Sequence, residues 1–188
     1  MPRCRPLITL AIAFTAVAAL GPARALAQNA PAQPAEIASQ DVTLPGKPIV
    51  YLSGSGTWDS AYATLVEAFK TIGAYLDKEG LKPAGPAMTI YTAMDDTNFN
   101  FQAAIPLAEP PKNPPTGNLG VGTSPDGKAL KFMHRGTFES TTATYEAINN
   151  LIEQKQLQTR DMFIEEYVVD LMNTPQDQLV FNIFVPLK

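Results

Sequence analysis

Apolar residues in this chain switch between strand-like and helix-like spacing, and the switches occur twice in the same order. The first pass opens with the apolar, β-prone run Ile49–Ser53, which Gly54 and Gly56 end. Tyr62, Leu65, Val66, Phe69, Ile72 and Leu76 then recur at three- and four-residue steps, the mark of a helix with one buried face. Gly80 suits the position just past that helix, and Pro83 stops any continuation. Met88–Met94 and Phe99–Ile105 follow as strands around the polar turn Asp95-Asp96-Thr97-Asn98. In the second pass Leu130–Met133 is a strand, Arg135-Gly136 a turn, and Thr144–Gln156 a helix with Tyr145, Ile148, Leu151 and Ile152 inward. Met162–Val169 and Leu179–Val185 complete it as strands.

The two passes are related at the level of residues. Gly56-Thr57-Trp58 answers Gly136-Thr137-Phe138, and Ile105-Pro106-Leu107 answers Val185-Pro186-Leu187, both at a spacing of 80. Tyr91 and Tyr167 lie 76 apart, so a four-residue difference in the helical region is undone in the following hairpin. A repeat with compensating indels predicts two like subdomains related by a pseudo-twofold axis. The expected fold is α+β, with two β-α-β-β repeats (about 49–107 and 129–187) forming one curved antiparallel sheet and both helices packed behind it. Residues 108–128 connect them, because 108–127 hold five prolines and four glycines, with a short strand around Leu119–Val121. The seam between the halves is where a cleft belongs.

The N-terminus changes the compartment. Arg3 and Arg5 precede an apolar run, Leu7–Leu20, and Ala25-Leu26-Ala27 is a small-x-small cleavage site, so 1–27 read as a signal peptide cut after Ala27. Fourteen residues are too few for a span of about 20, so no membrane anchor is expected after cleavage. The expected location is periplasmic or secreted. Residues 28–44, rich in Ala, Pro and Gln, read as a flexible leader, and 45–188 as a single domain. Cys4 leaves with the signal, which removes disulfides, thiol nucleophiles and cysteine–zinc sites. Three arginines leave too, so the basic count falls to 14 − 3 = 11 against 18 acids, a net charge near −7. That surface disfavours nucleic acid and mildly favours cationic or neutral ligands.

The order and spacing of these motifs resemble the GyrI-like domain, also described as the AraC-type effector-binding domain. The resemblance rests on His134-Arg135-Gly136-Thr137-Phe138, a helix, Glu165-Glu166-Tyr167 and the terminal Val185-Pro186-Leu187. In the first half it rests on Gly56-Thr57-Trp58, the run from Gly80 to Pro86, Ile90-Tyr91 and Ile105-Pro106-Leu107. It implies a small, hydrophobic or cationic molecule held between the halves by a carboxylate and aromatic rings. By resemblance Glu165 is that carboxylate and Tyr167 its aromatic. Strand alternation sets Phe163, Glu165 and Tyr167 on one face and Glu166 on the other, but both faces carry apolar neighbours, so parity alone does not choose between the glutamates. Many relatives carry a helix-turn-helix ahead of this domain, and no such segment fits ahead of Ile49.

The expected ligand-binding residues are Glu165, Tyr167, Tyr91, Trp58, Phe138 and Phe163. Trp58 and Phe138 each follow a Gly-Thr turn at a helix start, where an aromatic either staples the helix to the sheet or walls a pocket with its ring, and the Trp58 indole N–H is a useful donor. Tyr62 and Tyr145 lie on apolar helix faces and read as core. His134 is the only histidine and cannot hold a metal alone, and Asp95-Asp96 lacks the alternating oxygens of a calcium loop. No phosphate loop, dinucleotide fingerprint or nucleophile elbow is present, so neither cofactor nor metal is expected. The alternative to a binding protein is a hydrolase of small electrophiles using Glu165 as general base and Tyr167 as hydrogen-bond donor.

Overall fold

The computed structural model describes residues 37–188. The signal and cleavage site, and the leader as far as residue 36, lie outside the described residues. The elements run β1 (Gln40–Pro45), β2 (Pro48–Thr57), α1 (Ala61–Glu79), β3 (Met88–Met94), β4 (Asn98–Pro106), β5 (Leu119–Thr123), β6 (Asp126–Arg135), α2 (Thr141–Gln154), β7 (Phe163–Tyr167) and β8 (Val180–Pro186). The strands form one curved antiparallel sheet ordered β1-β6-β8-β7-β3-β4-β2-β5. Exchanging β1 with β5, β2 with β6, β3 with β7 and β4 with β8 reverses this order onto itself, which is the topology of the expected pseudo-twofold.

Each repeat is thus preceded by a strand, and the two leading strands trade places. β1 pairs with β6 of the second repeat, while β5 pairs with β2 of the first. Where the chain turns from them into the repeats, Lys47 N donates to Ser124 Oγ at 3.0 Å and Ser124 N donates to the Lys47 carbonyl at 2.8 Å. The sheet therefore begins at Gln40, inside the stretch read as leader from its composition. Only Val42 and Leu44 carry the strand's apolar alternation, and they pack against the outer sheet face. Two apolar positions are too few for periodicity to outweigh an Ala/Pro/Gln background.

Alternation along the strands builds two cores. The helix-side core joins Leu65, Phe69 and Ile72 of α1 and Ile148 and Leu151 of α2 to inward residues such as Phe99, Phe101, Phe132 and Phe181. Each such side chain contributes roughly 1.5–3 kcal/mol by leaving water. The opposite face holds Ile49, Met88, Ile90, Ile164 and Phe184. Gly80 closes α1 in the left-handed conformation (φ 65), which admits the bond from Leu81 N back to the Leu76 carbonyl at 2.9 Å. Between the helices, β3 and β7 meet at the centre of the sheet with Thr89 opposite Glu165.

Candidate functional site

Glu165 sits in the middle of β7, where parity turns it toward the helices, and only 2 % of its surface is exposed. Glu166 points the opposite way and accepts a hydrogen bond from Asn182 Nδ2 at 3.0 Å. The register of β7 on its neighbours thus sets Glu165 on the helix side of the sheet and Glu166 on the other.

Three hydroxyls converge on the buried carboxylate. Tyr145, from α2, donates to Oε1 at 2.7 Å. Tyr91, from β3, and Tyr167, two residues along β7, donate to Oε2 at 2.9 Å and 3.1 Å. The Tyr167 hydroxyl also lies 2.8 Å from Thr89 Oγ1. Removing a carboxylate from water costs several kcal/mol, and a hydrogen bond to a charged group offsets about 1.5–3 kcal/mol. Burial still prevails, holding the Glu165 pKa above the ordinary carboxylate value while the Tyr145, Tyr91 and Tyr167 hydroxyls pull it back. All three tyrosines are raised well above 10, chiefly by burial and then by the adjacent Glu165 charge, so they remain protonated donors.

Above this cluster lies a cavity of about 570 Å³, with Glu165 and Tyr91 in its floor and Trp58, Tyr62 and Phe138 in its walls. Trp58 is 37 % exposed and stands at the mouth, its ring 4.7 Å from Phe99 and 5.8 Å from Tyr91 between centroids. Its indole N–H is already committed, donating to the Asp95 carbonyl at 2.8 Å, so Trp58 offers the cavity a ring face and no free donor. Phe138 stacks on Phe181 at 5.6 Å. Asp59 and Glu139, both exposed and 80 apart, add acidic groups from the two helix entries.

Four of the expected six residues, Glu165, Tyr91, Trp58 and Phe138, therefore line one cavity. The other two do not line it. Phe163 is wedged edge-on against Tyr145 at 5.3 Å, and Tyr167 turns its ring onto Phe69 at 5.7 Å while its hydroxyl reaches Glu165. Tyr145 and Thr89 belong to the cluster, although Tyr145 read as core and Thr89 carried no reading. Comparison of the repeats holds the missing signal. Tyr145 occupies the place of Leu65, 80 residues earlier, and Thr89 the place of Glu165, 76 residues earlier. His134, near the end of β6, is buried against Phe181 and bonded to Thr144 Oγ1 at 2.8 Å, and burial lowers its pKa. Asp95 Oδ1 accepts the Thr97 and Asn98 amides at 2.8 Å and 2.6 Å, an ordinary Asx turn.

Residues 40–188 match the family of GyrI-like small molecule binding domains. The chain belongs to that family. The EcmrR C-terminal domain superposes with a TM-score of 0.69 at 18 % identity, over 81 % of this chain and 98 % of that one. EcmrR in its DNA complex gives 0.70 at 18 % identity, and there this GyrI-like chain spans 81 % of itself but only 58 % of the EcmrR chain. SAV2435 bound to tetraphenylphosphonium gives 0.58 at 15 % identity over 81 % and 94 %. At these identities the likeness is one of fold. No curated protein matches the chain in sequence.

Proposed function

We propose that this GyrI-like domain is an exported binding protein that holds an apolar organic cation in the central cavity, with Glu165 as its counter-charge. The observation that carries the reading is a buried carboxylate, on the floor of an aromatic-walled cavity, whose partners are all neutral hydroxyls. Among the described residues the one salt bridge joins Lys70 to Glu67 on the surface of α1, so no side-chain cation neutralises Glu165. A bound cation would, in a setting where charge is poorly screened. The faces of Trp58 and Tyr91 add cation–π attraction of roughly 0.5–2 kcal/mol each. Tetraphenylphosphonium, the cation in the SAV2435 structure, has the size and charge such a cavity calls for. The signal-like N-terminus and the acidic balance of the remainder support export and a cationic ligand. The hydrolytic alternative ranks lower, because three tyrosine hydroxyls donate to Glu165 and draw down its basicity.

Calorimetric titration with tetraphenylphosphonium tests the binding reading. Saturable binding that weakens at least tenfold in Glu165→Gln is expected, and no heat from it or from any of a panel of hydrophobic cations overturns it. Fractionation of the expressing bacterium tests export, with uncleaved protein in the cytoplasm as the contrary result.

A further inference from the structure

The polar network at the entry to α2 has a twin at the entry to α1, and the two differ by one histidine. In the first repeat Ser60 Oγ donates to the Thr57 carbonyl at 3.3 Å and lies 3.1 Å from Thr57 Oγ1 and 3.4 Å from Thr64 Oγ1. In the second, 80 residues later, Ser140 Oγ donates to the Thr137 carbonyl at 2.7 Å, and an imidazole joins it to Thr144. His134 Nε2 lies 3.2 Å from Ser140 Oγ and 3.3 Å from the Thr137 carbonyl, while Nδ1 lies 2.8 Å from Thr144 Oγ1. The place of His134 in the first repeat belongs to Gly54, over which the Phe101 ring lies. The Ser/Thr network therefore opens a helix without a histidine, and the needs of a helix entry do not account for His134.

Its surroundings suit chemistry. Ser140 is exposed, while His134 is buried against Phe181. Gly136 flanks Ser140 so closely that a Cβ there would come within 2.9 Å of Oγ, so the bare glycine leaves that hydroxyl uncovered. In the tautomer whose Nδ1–H donates to Thr144 Oγ1, Nε2 is free to accept, and the Ser140 proton need only swing from the Thr137 carbonyl to reach it. Burial holds the His134 pKa below its ordinary 6.5, so the ring is neutral and able to take a proton at neutral pH. A hydroxyl, a base within hydrogen-bond reach and a third group orienting that base are the parts of an activated nucleophile. The Ser140 side chain does not cap α2, which leaves first-turn amides available to an oxygen that becomes negative.

We propose that Ser140 and His134 are a nucleophile and its general base, acting on small activated esters that approach from solvent, with Thr144 as the positioning residue. The site is separate from Glu165 and adds a reaction to a binding protein. Ser140 Oγ adds to the ester carbonyl as its proton passes to His134 Nε2. The bond to the leaving oxygen then breaks, and the alcohol or phenol departs with that proton. Water, giving a proton to His134 in turn, attacks the acyl-serine and releases the carboxylic acid and the free hydroxyl. Thr144 offers a neutral oxygen where a carboxylate would stabilise the imidazolium, so turnover is confined to esters with good leaving groups.

Incubating the mature protein with p-nitrophenyl acetate tests this, read by nitrophenolate release and by mass mapping of acetylated peptides. Acetyl on Ser140, and none on Ser60 in the repeat that lacks the histidine, is expected. Ser140→Ala should abolish the fast release, and His134→Gln should slow it about a hundredfold. The acetylation rate should rise with pH and level off, with a midpoint below the ordinary histidine value of 6.5. Thr144→Val should move that midpoint as well as lower the rate, whereas an unmoved midpoint would overturn its positioning role. Where His134→Gln does not fold, the pH profile of the parent carries the same test. Unmodified Ser140, equal acetylation of Ser140 and Ser60, a rate indifferent to His134, or a rate that climbs with hydroxide without levelling overturns the pair.

Discussion

Thr89 and Glu165 are register partners in the central strand pair and are also equivalents of each other in the 76-residue repeat, so the pseudo-twofold axis passes between them. The contact of Tyr91 with Glu165 at 2.9 Å and that of Tyr167 with Thr89 at 2.8 Å are therefore one contact made twice. Duplication supplied a symmetrical cluster, and a single carboxylate breaks the symmetry. Two carboxylates at this spot would repel in a dry site, and threonine keeps the hydrogen bond without the second charge.

Thr89→Val removes that copy of the contact and little else, since valine matches threonine in shape. The Tyr167 hydroxyl keeps Glu165 as partner, so the expected loss is about 1 kcal/mol of stability. Tetraphenylphosphonium affinity should change less than threefold. Denaturant unfolding and calorimetry on the same preparation check both halves of this expectation.

The Glu165 carboxyl makes stability and binding respond to pH in opposite directions. Its folded pKa lies above the ordinary value of 4.5, so between the two the folded protein holds a proton that the unfolded chain has lost. Folding takes up that proton, and stability falls as pH rises from the ordinary carboxylate range through the folded value. Cation binding needs the ionised form and should strengthen over the same interval. Urea titrations and calorimetry from pH 4 to 8 read the two slopes, and both should vanish in Glu165→Gln. A Glu165 contribution to stability that rises with pH would contradict the account.

Tyr145→Phe withdraws the hydroxyl that lowers the Glu165 pKa most. Oε1 then has no donor, and the expected cost is about 1.5–3 kcal/mol at neutral pH, shrinking as acid protonates the carboxyl. The midpoint for cation binding should move to higher pH. A uniform loss at every pH would assign Tyr145 a packing role alone.

The alternating and helical spacings carried both repeats, the seam and the buried face of each helix, because those patterns are local and repeated. Of the two swapped strands only β1 was hidden. β5 showed as a short strand in a Pro/Gly-rich connector, whereas β1 has two apolar residues in a background of Gln, Ala and Pro. At the site, Glu165, Tyr91, Trp58 and Phe138 were legible through motif order and equivalence. Tyr145 packs against the core as its helix stripe indicated, but such a stripe says which way a tyrosine points and not that its hydroxyl meets Glu165. Phe163 and Tyr167 shared the right strand face, but the helices decide which residues on that face meet the cavity.

The duplicated glycines test how far equivalence extends, because they serve different needs. Gly136 has φ 123, where side chains are strained, and an added Cβ would lie 2.9 Å from Ser140 Oγ. Gly56 lies within β2 without positive φ, and there a Cβ would come within 3.0 Å of the Phe99 ring. Gly136→Ala should thus cost about 1–3 kcal/mol through the backbone. Gly56→Ala should cost stability by pushing Phe99, and with it Trp58, whose tilted ring lies 4.7 Å away at the cavity mouth. Trp58 is the only tryptophan, so its emission reports that shift directly. Gly56→Ala is expected to move the emission maximum and weaken tetraphenylphosphonium binding several-fold. An unchanged spectrum and affinity in that variant would mean that Phe99 yields without disturbing the aromatic wall.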